Sequence, residues 1–123
     1  MRIEFHLRKM QRFERTIAKL DDEDDSETII EDCMLAAAHA VNAAMHKLAT
    51  VREDKDIRHN MLSGFIKKEK SLNDDSGQIA ELLLQLEELR PSFVYGKGED
   101  KDAAILARGT YNKIREVCLK YLQ

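Results

Sequence analysis

The sequence predicts an all-α protein, an antiparallel up-and-down bundle of four to five helices in one domain spanning residues 1–123. Three observations carry this expectation. Proline occurs once and glycine five times in 123 residues, so few positions break a helix. Period-two clusters of Thr, Val and Ile, the mark of a half-buried strand, are absent. Apolar residues return instead every three or four positions in each long segment, the spacing that lines one side of a helix.

The elements follow in chain order. Ile3, Leu7, Met10, Phe13, Ile17 and Leu20 make one apolar stripe, a first helix over about residues 1–20 that can sit at the periphery of the bundle. "DDEDDS" (Asp21–Ser26) interrupts it as a solvated turn, and Asp24 with Glu27 three residues on reads as a capping box. Ile30, Cys33, Met34, Ala37, Ala40, Val41, Ala44, Met45 and Leu48 then form a wide stripe. The alanines among them let a neighbouring helix approach closely. "ATVREDKDIRHN" is a polar connection. Ile57, Met61, Leu62, Phe65 and Ile66 mark a short helix ending near Lys70, and "SLNDDSG" supplies turn chemistry. Ile79, Leu82, Leu83, Leu86 and Leu89 define the next helix. Pro91 disfavours helical geometry at Arg90, so a stop or sharp kink is expected there. A last helix runs from about Glu99, with Ala103, Ala107, Tyr111, Ile114 and Cys118 on one side.

A chain of this length buries enough surface to fold without disulfide staples. Cys33 and Cys118 fall at apolar helical positions and read as reduced core residues. The first twenty residues hold six Lys/Arg and leave no apolar leader. The weakly polar run "MLAAAHAVNAAM" is too short for a bilayer and is interrupted by His39 and Asn42. A cytoplasmic protein with no membrane contact is therefore expected. Net charge is −3, which does not mark a nucleic-acid binder. The charge is nonetheless uneven, because residues 21–32 carry eight acids and no base.

Motifs for common chemistries are missing. No glycine-rich phosphate loop, zinc-spaced cysteine pair or Gly-x-Ser-x-Gly elbow occurs, so no cofactor is expected. Of His6, His39, His46 and His59, the pair His39 and His46 share a helix face at a separation of seven. A metal site would need a third ligand, and HxxxH or ExxH spacings are lacking, so no metal is expected.

An alanine-faced helix, a histidine followed by "MLSGFI", a leucine helix ending "ELRPSFVYG" and a closing helix ending "VCLKYL" together resemble the HEPN domain family over roughly Glu27–Leu122. The resemblance implies a helical bundle that homodimerises and is often paired with a minimal nucleotidyltransferase. Many members of the family are ribonucleases or nucleotide-binding modules. The nuclease motif is Arg, four to six residues, then His, an arrangement in which a guanidinium stabilises phosphate while an imidazole moves protons. Its arginine falls on Arg90. Where histidine would stand, this sequence has Tyr95, similar to a branch of the family with Arg and a following Tyr-Gly pair. Tyrosine is a poor general base near neutral pH but donates hydrogen bonds and stacks on bases.

The expectation is thus a non-catalytic HEPN-like module. It would bind a nucleotide, RNA or a protein partner through Arg90 and Tyr95, with His59 lining the same cleft. Arg90 also reads simply as a helix-end cation. The rival is a metal-independent, toxin-like endoribonuclease using Arg52, His59 and Arg90, since six residues separate Arg52 from His59. A purely structural helical adaptor is the third reading. The wide apolar arc of the second helix suggests homodimerisation.

Overall fold

A computed structural model of the chain describes residues 1–93, 96 and 98–123. Among them the fold is all-helical and without strands, as the apolar spacing predicts. It comprises α1 (Ile3–Ile17), α2 (Ser26–Lys47), α3 (His59–Glu69), α4 (Ser76–Phe93) and α5 (Lys101–Tyr121), with a 3-10 turn at Asn73–Asp75. The long helix α2 is the centre of the bundle. It packs on α1 and α5, and α4 and α3 complete its surroundings. Ala36, Ala37, Ala40, Ala43 and Ala44 are all enclosed, because side chains this small let several helix axes crowd one another. The apolar arc that suggested self-association is therefore covered within the single chain. No described helix is long and apolar enough to cross a membrane.

The helix ends differ from the sequence expectation in two places. The Asp24–Glu27 capping box does not form. Asp25 stands at the start of α2 without a side-chain capping bond, and the carboxylate of Asp21 accepts the N–H groups of Glu23 and Asp24 instead. The first turn of α2 is satisfied from the far end of the chain. Ser26 donates to Glu99 and accepts the N–H of Asp100 at 2.7 Å, and Glu99 accepts the N–H of Glu27 at 3.2 Å. The second difference is Pro91, which does not stop α4; the helix continues to Phe93. Proline this close to a helix end removes a single intrahelical bond, the one that would reach back to the Glu87 carbonyl.

The remaining boundaries match their chemistry. Lys70 ends α3 in the left-handed conformation at φ 52°. Asp100 caps α5, its side chain accepting the N–H of Ala103 at 2.9 Å. Cys33 and Cys118 are free and buried. The connection from α2 to α3 is tied down by buried Asn42. Its Oδ1 accepts the N–H of Ile57 at 2.9 Å, and its Nδ2 donates to the Ile57 carbonyl at 3.0 Å. Backbone at the edge of the core is thereby fully hydrogen-bonded.

Candidate functional site

Two groups of polar side chains stand out. The first contains residues that the sequence singled out. Helix α4 carries Glu87 and Arg90 one turn apart, and α3 begins at His59 beside them. His59 Nδ1 lies 2.7 Å from Glu87 Oε1, and Arg90 Nη1 lies 3.8 Å from Glu87 Oε2. Arg90 Nε also donates to Glu31 of α2 at 2.8 Å. His59 and Arg90 thus converge on one carboxylate. Arg52 does not join them; it pairs with Asp54 at 2.8 Å on an exposed stretch of the α2–α3 connection. Tyr95 lies outside the described residues.

The electrostatics of this group decide what it can bind. One guanidinium faces two carboxylates. Asp32, the chain neighbour of Glu31, lines a different hollow with Lys9, Arg12 and Phe13 of α1, and its pKa is raised by burial and by the Glu31 charge. A phosphate approaching Arg90 would meet this surplus of negative charge and would have to displace Glu31 from a short ion pair. Arg90 consequently acts as a tie between α4 and α2, and a helix-end role alone understates it.

Immediately along α3 from His59 is a hollow of about 520 Å³, lined by Asp56, Ile57, Arg58, Asn60, Met61, Gly64, Phe65 and Lys68. Met61, Gly64 and Phe65 of the "MLSGFI" segment face it. Met61, counted from its spacing as a core residue, is instead 61% exposed, while Leu62 and Ile66 are buried. Helical spacing explains the division: Leu62 and Ile66 are four apart and face the bundle, whereas Met61 and Phe65 flank that stripe. A Cβ at Gly64 would meet no atom within 4 Å, so the helix backbone there is open to close approach.

The second group was not anticipated. His6 from α1, His39 and His46 from α2 and Asp56 from the following connection meet at one end of the α1–α2 pair. His6 Nδ1 is 2.9 Å from His39 Nδ1, and His6 Nε2 is 2.9 Å from Asp56 Oδ1. His46 Nε2 is 3.0 Å from the same oxygen, and its Nδ1 is 3.0 Å from the Val51 carbonyl. The Met1 amino group also donates to Asp56 Oδ1 at 3.0 Å. Burial works against the Asp56 carboxylate, yet hydrogen bonds from His46, Met1 and His6 bring its pKa down to about 2. Burial, aided by the charges of His6 and Lys9, lowers His39 to about 4.

The seven-residue spacing of His39 and His46 is the one trace of this cluster in the sequence. The three groups that meet at ligand spacing do not include His39; His46 is joined by His6 and Asp56, which come from other elements. His6 Nε2, His46 Nε2 and an Asp56 carboxylate oxygen all lie within 4.8 Å of one another. His6 reads as one polar residue in an amphipathic helix, and Asp56 as one acid in a charged loop.

Comparison with protein-family models, with characterised proteins and with solved structures finds no match to this chain.

Proposed function

We propose that the chain is a non-catalytic, HEPN-like binding module that takes an acidic amphipathic helix of a partner protein in the hollow along α3. The observation that carries the reading is the make-up of that hollow. An exposed methionine and the half-buried Ile57 and Phe65 surround the open backbone of Gly64, with Arg58 and Lys68 among the lining residues. Methionine adapts its shape to varied apolar partners. Glycine admits a second helix closely, and the two cations, set against the single carboxylate of Asp56 in the lining, favour a ligand with acids beside its apolar stripe. Covering a side chain such as Met61 contributes about 1–2 kcal/mol, so a few contacts of this kind suffice for reversible binding. The minimal nucleotidyltransferase that the family resemblance implies is one source of such a helix. Nucleotide or RNA at Arg90 is the less favoured ligand, because Glu31 and Glu87 already hold that guanidinium.

One observation favours the ribonuclease reading. Glu87 orients His59 through Nδ1, which leaves Nε2 as the nitrogen for proton transfer, the arrangement general acid–base catalysis uses. The surplus of carboxylates beside Arg90 opposes it, since a scissile phosphate needs positive charge around it.

Fluorescence anisotropy with a designed acidic amphipathic peptide, its basic counterpart and a single-stranded RNA tests these readings. The acidic peptide should bind, the basic peptide should not, and Met61→Asp should weaken binding roughly tenfold or more. RNA should remain intact. Cleavage that disappears in His59→Ala would replace the binding reading with the ribonuclease one. Failure of both peptides, together with a dimer in light scattering that Met61→Asp dissociates, would make a second copy of this chain the occupant.

A further inference from the structure

We propose that His6, His46 and Asp56 form a binding site for a divalent transition-metal ion, with zinc the best match. Asp56 also lines the α3 hollow, whereas the two histidines lie outside it, and the proposal does not depend on the reading given for that hollow.

Hydrogen-bond accounting at His46 provides the first argument. Its Nδ1 faces the Val51 carbonyl at 3.0 Å, and a carbonyl only accepts, so Nδ1 must carry a proton. In the neutral ring Nε2 is then a lone pair, yet it points at a carboxylate oxygen 3.0 Å away. A hydrogen lies between the two atoms, on Nε2 or on the carboxyl group, and a metal ion can take its place once they move slightly apart. The His46 side chain is 0% exposed, so Nε2 is aimed at Asp56 from within the bundle and shielded from water.

The surroundings match a metal centre in their second layer as well. A ligating histidine commonly donates its other ring N–H to a backbone carbonyl or a comparable acceptor, which fixes tautomer and orientation. Val51 does this for His46. For His6, Nδ1 lies 2.9 Å from His39 Nδ1. In the tautomer with the proton on His6, His39 accepts, and His6 Nε2 presents its lone pair towards Asp56. His39, itself half-buried and stacked near Phe13 at a ring separation of 6.0 Å, thus serves to hold His6.

Distances and rigidity fit. Zinc bonds of about 2.0–2.2 Å in a tetrahedron place neighbouring ligand atoms about 3.4 Å apart. The present separations to Asp56 Oδ1 are 2.9 and 3.0 Å, so an ion requires the cluster to open by about half an ångström. The two imidazoles sit on packed helices. Asp56 sits on the connection and is 37% exposed, so it is the member free to move, and its solvent side leaves room for water as a fourth ligand. On entry the ion replaces the hydrogen shared by His46 Nε2 and Asp56, which passes to solvent as a proton, and displaces the Met1 amino group from Asp56. Two nitrogens and one carboxylate select zinc and its neighbours over magnesium or calcium.

Calorimetric titration of the full chain with zinc chloride, and visible absorption with cobalt(II), test the proposal. Expected are one ion per chain, an intense tetrahedral cobalt spectrum, a raised Tm and no response to magnesium. Asp56→Asn, on an exposed loop and compatible with the fold, should weaken zinc binding by roughly 10–100-fold or more. In the unaltered protein, zinc should shift the ring-nitrogen resonances of His6 and His46 and leave those of His59 in place, a readout that needs no variant. Absence of saturable zinc binding would overturn the site. Zinc that binds equally well to Asp56→Asn, or that moves His59 instead, would overturn it too.

Discussion

Asn42 sits inside a run of alanines where an apolar residue would continue the stripe. Its amide is used in full on the backbone of Ile57, with a further bond to the Ala38 carbonyl. Asn42→Leu keeps the branched shape and the number of heavy atoms but leaves a donor and an acceptor of Ile57 unpaired. We expect a loss of about 2–3 kcal/mol in urea unfolding, and weaker zinc binding as well, because Asp56 adjoins Ile57. Arg90 is a second case in which a single side chain does more than its position suggests. A helix-end charge contributes about 0.3–1 kcal/mol. With its side chain only 20% exposed and carboxylates on two helices, Arg90→Ala should cost about 1–2 kcal/mol. Urea midpoints unchanged from the parent would show that the ion pairs contribute nothing.

At the level of elements, the ends of the helices are held by distant parts of the chain. Tyr121, the last residue of α5, places its hydroxyl 2.8 Å from the Leu72 carbonyl and 2.6 Å from Asp75 Oδ2, sharing one proton between them. This locks α5 to the 3-10 turn before α4. Tyr121→Phe should destabilise by about 1 kcal/mol. The dependence on pH has a defined sign. The hydrogen bond to Asp75 raises the phenol from 10 to about 12, so its contribution is complete below pH 10 and disappears as pH climbs to 12. Stability curves of the parent and Tyr121→Phe should therefore converge over that alkaline interval. Asp75 is shifted the other way by the same hydroxyl, so the parent's advantage should also shrink in acid, below the ordinary carboxylate range. A constant difference from pH 7 to pH 12 would contradict the assignment.

For the molecule as a whole, α2 is the common partner, and the bundle should open as one cooperative unit. The cysteines report on this. Burial pushes both the Cys33 and the Cys118 thiols up to about 12, so each is both shielded and protonated in the native state. A thiol-specific reagent at neutral pH should be silent towards the folded protein and should label both cysteines together as denaturant unfolds it. Labelling of one cysteine well before the other would indicate that part of the bundle opens independently.

Helical content was legible in the sequence because backbone periodicity is local. Stripes such as Ile79–Leu82–Leu83–Leu86–Leu89 and the alanine face of α2 carry their own direction, and all five helices follow from them. The sequence also marked His59 and Arg90 as residues to watch. Their shared partner Glu87, the Glu31 tie, the cap that Glu99 provides to α2 and the meeting of His6 with His46 and Asp56 were not legible. Each joins residues on different elements, and such meetings depend on how far each helix is rotated and where it crosses its neighbours. Those quantities are set by the packing of alanines and leucines in the core, not by spacing within any one helix. Residue spacing thus determined what the elements are, while tertiary packing decided which polar groups face each other and what chemistry they support.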